Sequence, residues 1–192
     1  MKKYLIFIFI FIVIELSSFA QKSPNQNINL SVGIGNPAGN PIYIDTYGLT
    51  YSIGYERQIL KEIISKDMLR INSNLNFGHY YSEKSSINLK KARANSYILN
   101  IRLNIDLLEI NYFSLFVSGG AFYGIRNEYL EKITAPHFEN TSNSRSESFG
   151  GLYGYGFRYN SSKNKWGFNI VSTKYLDSFN ENNIMLGVEY KL

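Results

Sequence analysis

The chain has 192 residues, a formal net charge of +5 and no cysteine. That length fits one domain with a sizeable core, and the lack of cysteine excludes disulfides, thiol chemistry and a lipid-modified N-terminal cysteine. The positive charge is mild and scattered, which excludes a concentrated basic surface for nucleic acid. Aromatic residues make up 16% of the chain, mostly Tyr and Phe, and the amphipathic Tyr ring suits a boundary between hydrocarbon and water.

The first twenty residues have the features of a cleaved export signal. Two lysines precede an unbroken apolar run from Tyr4 to Ile14, and Ser18 and Ala20 place small residues where signal peptidase cuts. The apolar run is too short for a membrane anchor, because ~30 Å of hydrocarbon requires about 20 residues. The sequence therefore predicts a signal peptide over 1–20 and a mature domain over 21–192.

The mature chain alternates between apolar and polar residues with a period of two, which is typical of β-strands. In the first segment, for example, Ile28, Leu30 and Val32 alternate with Asn29 and Ser31. Eight segments share this pattern, and they cover residues 27–35, 47–56, 69–78, 96–106, 114–124, 149–159, 166–173 and 184–192. An even number of strands is expected for a closed antiparallel barrel in a bacterial outer membrane.

The connections also alternate in length, as expected when long loops face outward and short turns face the periplasm. The predicted outer loops are Asn36–Thr46, Ser82–Ala94, Ile125–Ser144 and Leu176–Asn182. The predicted short links are Leu107–Asn111 and Asn160–Lys165. Gln58–Lys66 is long for a periplasmic turn and contains four aliphatic residues, so either a longer hairpin or a capping helical turn fits it.

The composition of the two faces favours a membrane barrel over a soluble one. The polar face is mostly Gly, Asn and Ser, which suit a narrow lumen, while lysines gather in the connections. A water-facing sheet surface would instead be rich in Lys, Glu and Thr. No later segment is apolar over the length of a membrane helix. We therefore expect the Leu, Ile, Val, Tyr and Phe face to contact outer-membrane lipid, in a closed barrel that satisfies every backbone group.

Six charged residues of the polar face fall in the periplasmic half of their strands, if the first strand runs outward from the periplasm. They are Glu56, Arg70, Arg102, Asp106, Arg158 and Glu189. Three are acidic and three basic, and charges away from bulk water must pair. The pattern predicts a compensated ion-pair network that plugs the lower lumen and argues against a general pore. The alternative is that these are strand-end charges exposed to periplasmic water.

The C-terminal residues resemble the signal that the barrel assembly machinery reads. Gly187, Tyr190 and Leu192 occupy the positions of the Gly, the aromatic residue and the terminal apolar residue, although Leu192 stands where Phe is usual. With this signal, the chain from Asn27 to Leu192 resembles the small outer-membrane β-barrel superfamily, which includes outer membrane protein X and the membrane domain of outer membrane protein A. The resemblance implies outward loops and roles in adhesion, surface binding or envelope integrity.

The residues give little support to catalysis or metal binding. His79 lies near Ser82 and Glu83, which suggests a hydrolytic triad as in the outer-membrane lipid A deacylases. By parity, however, His79 should face lipid, and the His-any-Ser-Asn run of that family is absent. No second His or Cys completes a metal site, and no glycine-rich phosphate loop is present. We expect no catalytic residue, metal or cofactor.

The longest predicted outer loop carries aromatic and basic residues that suit lipopolysaccharide phosphates or a glycan. The candidate binding residues are Arg126, Tyr129, Lys132, Phe138 and Arg145. The sequence thus predicts an all-β, eight-stranded, antiparallel, up-and-down transmembrane barrel with a filled polar lumen and a non-enzymatic structural or surface-interaction role. Three alternatives stay open: a docking component of an envelope secretion or assembly complex, an outer-membrane lipid-modifying enzyme, and a soluble periplasmic lipocalin-like binder.

Overall fold

The computed structural model describes residues 26–37, 48–60, 69–82, 89–135, 138–160, 165–176 and 181–192, and its regular structure is entirely β-strand. The strands are β1 (Gln26–Pro37), β2 (Gly48–Leu60), β3 (Leu69–Ser82), β4 (Leu89–Ile110), β5 (Phe113–Ala135), β6 (Phe138–Asn160), β7 (Trp166–Leu176) and β8 (Glu181–Lys191). Each strand pairs antiparallel with the next, and β8 pairs with β1, so the sheet closes. The predicted eight-stranded up-and-down barrel is confirmed, while the predicted signal peptide lies outside the described residues.

The strand register fixes the tilt of the barrel. A row of paired residues that leaves β1 at Gln26 passes through all eight strands and returns to β1 at Asn36, ten residues further along. Such a stagger requires strands tilted by about 35–45° to the barrel axis, and eight strands leave an interior just wide enough for side chains. The lumen is therefore a packed core.

The apolar face points outward, as a membrane barrel requires. Along β8, Ile184, Leu186 and Val188 are exposed, whereas Asn183 and Glu189 are buried in the lumen. The same alternation runs along β7. The soluble lipocalin-like alternative needs the opposite orientation, with the apolar residues inward, and is therefore wrong. Among the described residues, no helix is long and apolar enough to cross a membrane.

A bulge at the lower end of β4 keeps its apolar residues exposed. The register between β4 and β5 shifts between Asp106 and Leu108, so that Leu107, Leu108 and Ile110 all remain exposed. The strand then continues to Ile110, and the turn that follows contains Asn111 with φ 55°. Asn tolerates this left-handed conformation better than most residues. The predicted link Leu107–Asn111 is thus mostly strand, because β4 stays paired with β5 as far as Ile110.

The predicted bounds of two outer loops are wrong. β4 begins at Leu89, inside the predicted loop Ser82–Ala94, and β5 and β6 extend through most of the predicted loop Ile125–Ser144. The polar composition there is typical of loops, but the strand alternation continues above the apolar zone because β4, β5 and β6 stay paired with one another. We call the outer part of these three strands the outer ribbon. It consists of Leu89–Asn95 of β4, Asn127–Ala135 of β5 and Phe138–Arg145 of β6.

The remaining connections are only partly described. β2 continues to Leu60, so the start of Gln58–Lys66 belongs to the β2–β3 hairpin, with a register shift between Gln58 and Leu60. Residues 61–68 lie outside the described part of the chain, as do 38–47, 161–164 and 177–180. Most of the predicted loop Asn36–Thr46 lies within residues 38–47 and therefore outside the described part.

Candidate functional site

The lower lumen holds a cluster of opposite charges around Arg158. Arg158 contacts a carboxylate oxygen of Glu56 through Nη2 (2.6 Å), of Glu189 through Nε (3.0 Å) and of Asp106 through Nη1 (3.7 Å). Arg70 adds contacts to Asp106 (2.6 Å) and Glu56 (3.6 Å). We call these five residues the lower network. They come from β2, β3, β4, β6 and β8, so the network joins strands on opposite sides of the barrel.

Asparagine amides surround the lower network. Asn104 donates to Oε2 of Glu56 (2.8 Å), and Asn169 donates to Oε1 of Glu189 (2.6 Å). Arg158 is only 2% exposed, and such a buried charge is stable only when paired and hydrogen-bonded. Arg102, the sixth predicted residue, lies one layer higher, where its Nη1 donates to Oγ1 of Thr173 (3.2 Å).

An apolar layer fills the middle of the lumen. Ile98, Phe122, Leu152 and Tyr175 form one buried cluster, with the rings of Phe122 and Tyr175 packed edge to face at 5.0 Å. Phe116 lies just below, 4.9 Å from the Arg158 guanidinium. By strand parity, Ile98, Phe116 and Phe122 belong to the polar face, although all three are apolar. They face inward because strand parity directs them there, and the lack of a side chain at Gly156 leaves room for the Phe116 ring.

Three buried residues meet in the upper lumen, and we call them the upper latch: Tyr80, Arg126 and Glu181. The Tyr80 hydroxyl donates to Glu181, and Nη2 of Arg126 lies 3.2 Å from the other oxygen of that carboxylate. All three are buried. A Cβ atom added at Gly48 or Gly78 would collide with Tyr80, so these glycines make the room for its ring.

Arg126 is therefore not a loop residue available for surface binding. It is 3% exposed and points into the lumen, because the strand alternation of β5 continues through the region that the sequence pattern suggested to be loop. Sequence reasoning missed the upper latch altogether. A signal was present, since Tyr80 has the same parity as the lumen residues Asn74 and Asn76, and Arg126 has the parity of Phe122.

The outer ribbon carries a polar groove. On its outward face, Arg93, Tyr129 and Asn143 form one cross-strand row, and Asn95, Asn127 and Arg145 form the next. These six residues line a groove of about 540 Å³, together with Glu128, Glu131 and Ser144. The predicted Tyr129 and Arg145 thus meet in one groove. Lys132 and Phe138 lie near the tip of the ribbon, and their side chains are outside the described part.

The predicted assembly-signal residues lie at the lower end of β8. The backbone at Gly187 faces the side chains of Asn169 and Ser31. Tyr190 packs edge to face on Trp166 at 4.8 Å, and the backbone N of Leu192 donates to the carbonyl of Gln26 (2.9 Å). The end of the chain therefore closes the barrel against β1, with its aromatic ring on the membrane face.

Among the described residues, His79 is the one histidine, and its described contact is with an amide. His79 is exposed on β3, and its Nδ1 lies 2.5 Å from Oδ1 of Asn95, while His137 is outside the described residues. Within the described residues, no three His, Cys, Asp or Glu side chains gather as metal ligands do.

These features define the class of protein: a transmembrane β-barrel with a filled polar and aromatic lumen, an apolar lipid-facing surface and a polar ribbon rising from one side. No protein-family model matches the chain, and no curated protein matches its sequence. Solved structures of the same fold do match.

The chain has the fold of the small outer-membrane β-barrels. It is similar to Ail, the attachment invasion locus protein of Yersinia pestis, in complex with the heparin analogue sucrose octasulfate, at 14% identity and a TM-score of 0.58, over 89% of this chain and 100% of that one. It is also similar to a major outer membrane protein from Thermus thermophilus, at 9% identity and a TM-score of 0.56, over 89% of this chain and 100% of that one. Neisserial surface protein A gives 12% identity and a TM-score of 0.54, over 88% and 97% of the two chains.

Proposed function

We propose that this chain is a non-enzymatic outer-membrane protein that binds an acidic glycan in the groove of the outer ribbon. The observation that carries the proposal is the placement of Arg93 and Arg145 on the two outer strands of the ribbon, on either side of Tyr129. Ligand-binding residues are often carried on segments that a rigid scaffold positions outside its core, and here the scaffold is the barrel.

The groove lining indicates the class of ligand. Two guanidinium groups suit sulfate, phosphate or carboxylate groups, which they bind through charge-assisted hydrogen bonds. The Tyr129 ring offers an apolar face to a sugar, and three Asn amides can donate to and accept from hydroxyls. Glu128 and Glu131 also line the groove, and their negative charge disfavours a uniformly dense polyanion. The sulfated sugar analogue bound to Ail, a protein of the same fold, is compatible with this class.

The test compares binding of sucrose octasulfate with binding of neutral sucrose by the purified barrel in lipid nanodiscs. Replacing both Arg93 and Arg145 with Gln should weaken binding of the sulfated probe at least about tenfold, since each charged hydrogen bond contributes roughly 1.5–3 kcal/mol. The matched control is Lys165→Gln, which removes one exposed cation at the opposite end of the barrel. Equal binding by the double variant and the wild type would overturn the proposal.

We also propose that the lower network, the apolar layer and the upper latch together keep the lumen shut, so that the barrel is not a pore. The close contacts among Glu56, Arg158 and Glu189 and the burial of Tyr80 support this. Outer-membrane lipid on the apolar face, and the assembly machinery at Gly187, Tyr190 and Leu192 during biogenesis, stay predicted partners.

A further inference from the structure

The polar surface of the groove continues sideways onto β3. Two outward-facing rows of paired residues cross from β3 to β6 at this level. The lower row is His79, Asn95, Asn127 and Arg145, and the upper row is Tyr81, Arg93, Tyr129 and Asn143. The members of these rows on β4, β5 and β6 all line the groove. His79 and Tyr81 therefore border the groove on the side opposite to β6.

His79 lies at the boundary between the apolar surface of the barrel and the polar ribbon. On the same face, the row directly below it contains the aromatic or aliphatic residues Phe77, Tyr97 and Ile125. Its own row contains only amide and guanidinium side chains besides the imidazole. His79 is exposed, so its ring is accessible to a ligand that lies in the groove.

Asn95 determines which nitrogen of the neutral His79 ring carries the hydrogen. Nδ1 of His79 lies 2.5 Å from Oδ1 of Asn95. Because an amide oxygen only accepts hydrogen bonds, Nδ1 is the donor and Nε2 is left as an acceptor. A neutral ring therefore presents an acceptor that repels the oxygens of a sulfate, phosphate or carboxylate. Protonation turns Nε2 into a charged donor that attracts them.

One cation stands close to the His79 ring. The described side chains around the ring on the outward face are Leu49 and Tyr51 of β2, Phe77 and Tyr81 of β3, and Arg93, Asn95 and Tyr97 of β4. Arg93 is the charged member of this set, and its guanidinium lies over the Tyr81 ring at 5.5 Å. Diagonal cross-strand neighbours are about 7–8 Å apart. One sugar with two anionic groups can therefore contact both His79 and Arg93.

We propose that His79 is a pH-dependent subsite of the glycan groove, which binds a sulfate, phosphate or carboxylate of the ligand when its ring is protonated. The inference rests on the proposed function of the groove and adds the regulation of that site. Histidine changes its charge between about pH 5 and 8, so the groove binds an acidic glycan more tightly at mildly acidic pH. The proton is gained at Nε2, since Asn95 already holds the hydrogen on Nδ1.

The test measures binding of sucrose octasulfate by the full barrel in nanodiscs of phosphatidylcholine, which has no net charge, at about pH 5.5 and about pH 8 and at constant ionic strength. The sulfates of the probe stay ionised at both pH values. The wild type should bind about fivefold more tightly at the lower pH, which corresponds to ~1 kcal/mol. His79→Gln keeps a donor for Asn95 but cannot ionise, and should bind equally at both pH values.

Two further variants control for other titrating groups. His137→Gln removes the other histidine of the sequence and should keep the pH dependence of the wild type. His79→Arg has a permanent charge and should bind at both pH values as tightly as the wild type binds at the lower one. Glu128 and Glu131 are present in every variant, so a pH effect of their carboxylates would persist in His79→Gln.

An affinity of the wild type that changes less than about twofold between the two pH values overturns the subsite. A pH dependence that persists in His79→Gln, or that disappears in His137→Gln, also overturns it. The glycan proposal is judged separately at the higher pH, where equal binding by the wild type and the variant with Gln at both Arg93 and Arg145 overturns the groove itself. A wild type that binds the probe at neither pH overturns both.

Discussion

Removal of the Arg158 guanidinium should strongly destabilise the barrel. In the variant Arg158→Met, Glu56, Glu189 and Asp106 lose their contacts at 2.6, 3.0 and 3.7 Å, and Arg70 is left as the one cation of the lower network. Breaking a buried ion pair by removing one partner typically costs about 3–5 kcal/mol, because the other charge stays buried and uncompensated. Methionine keeps the apolar contact with Phe116, so most of the loss is electrostatic.

The assay is equilibrium urea unfolding of the barrel in lipid vesicles. Trp166 is the single tryptophan of the chain and lies on the membrane face, so its fluorescence reports the loss of the lipid contact. We expect the free energy of unfolding to fall by about 3–5 kcal/mol in Arg158→Met. The matched control Arg145→Met breaks an exposed pair with Glu147 (3.6 Å) and should cost less than about 1 kcal/mol.

A triple variant separates charge from packing. Adding Glu56→Gln and Glu189→Gln to Arg158→Met removes the uncompensated carboxylates, and replacement of a whole buried ion cluster by neutral groups is often close to neutral in stability. The triple variant should therefore recover most of the lost free energy. A loss below about 1 kcal/mol in Arg158→Met alone, or no recovery in the triple variant, would refute the compensated-network reasoning.

Two further predictions concern the lumen. Gly48→Ala should destabilise by about 1–3 kcal/mol because its Cβ would strike Tyr80 and the neighbouring backbone, whereas Gly119→Ala, whose Cβ meets nothing within 4 Å, should change stability by less than about 0.5 kcal/mol. The urea midpoints of the two variants check this, and equal midpoints would contradict the packing of the upper latch. Wild-type barrels in a planar bilayer should give no steady ion conductance, because three layers of packed side chains fill the lumen; a stable open level would exclude the closed-lumen proposal.

The sequence alone was sufficient for the number of strands and for the face that each presents. Alternation with period two is a local property, so Ile184, Leu186 and Val188 can be assigned to lipid without knowledge of any partner strand. The even count and the composition of the two faces then indicate a membrane barrel. The charged residues of the lumen could also be identified from the sequence, because parity along each strand shows which side chains point inward.

The sequence could not show how far each strand extends above the membrane, or which side chains meet across the lumen. Polar residues above the membrane, such as Asn127 and Arg145, look the same in a loop and in a paired ribbon, and the difference depends on cross-strand pairing. Strand parity directs both Arg102 and Arg158 into the lumen. Arg158, however, contacts three carboxylates, whereas Arg102 donates to the hydroxyl of Thr173.

Which inward side chains meet depends on the ten-residue stagger of the closed sheet, and that is a property of all eight strands together. The stagger brings Tyr80 of β3 against Glu181 of β8, 101 residues apart in the chain, and β7 pairs with β6 only from Gly151 downward among the described residues. Local alternation thus determined the faces, and barrel closure decided the contacts, because only closure fixes how far each strand slides past the next.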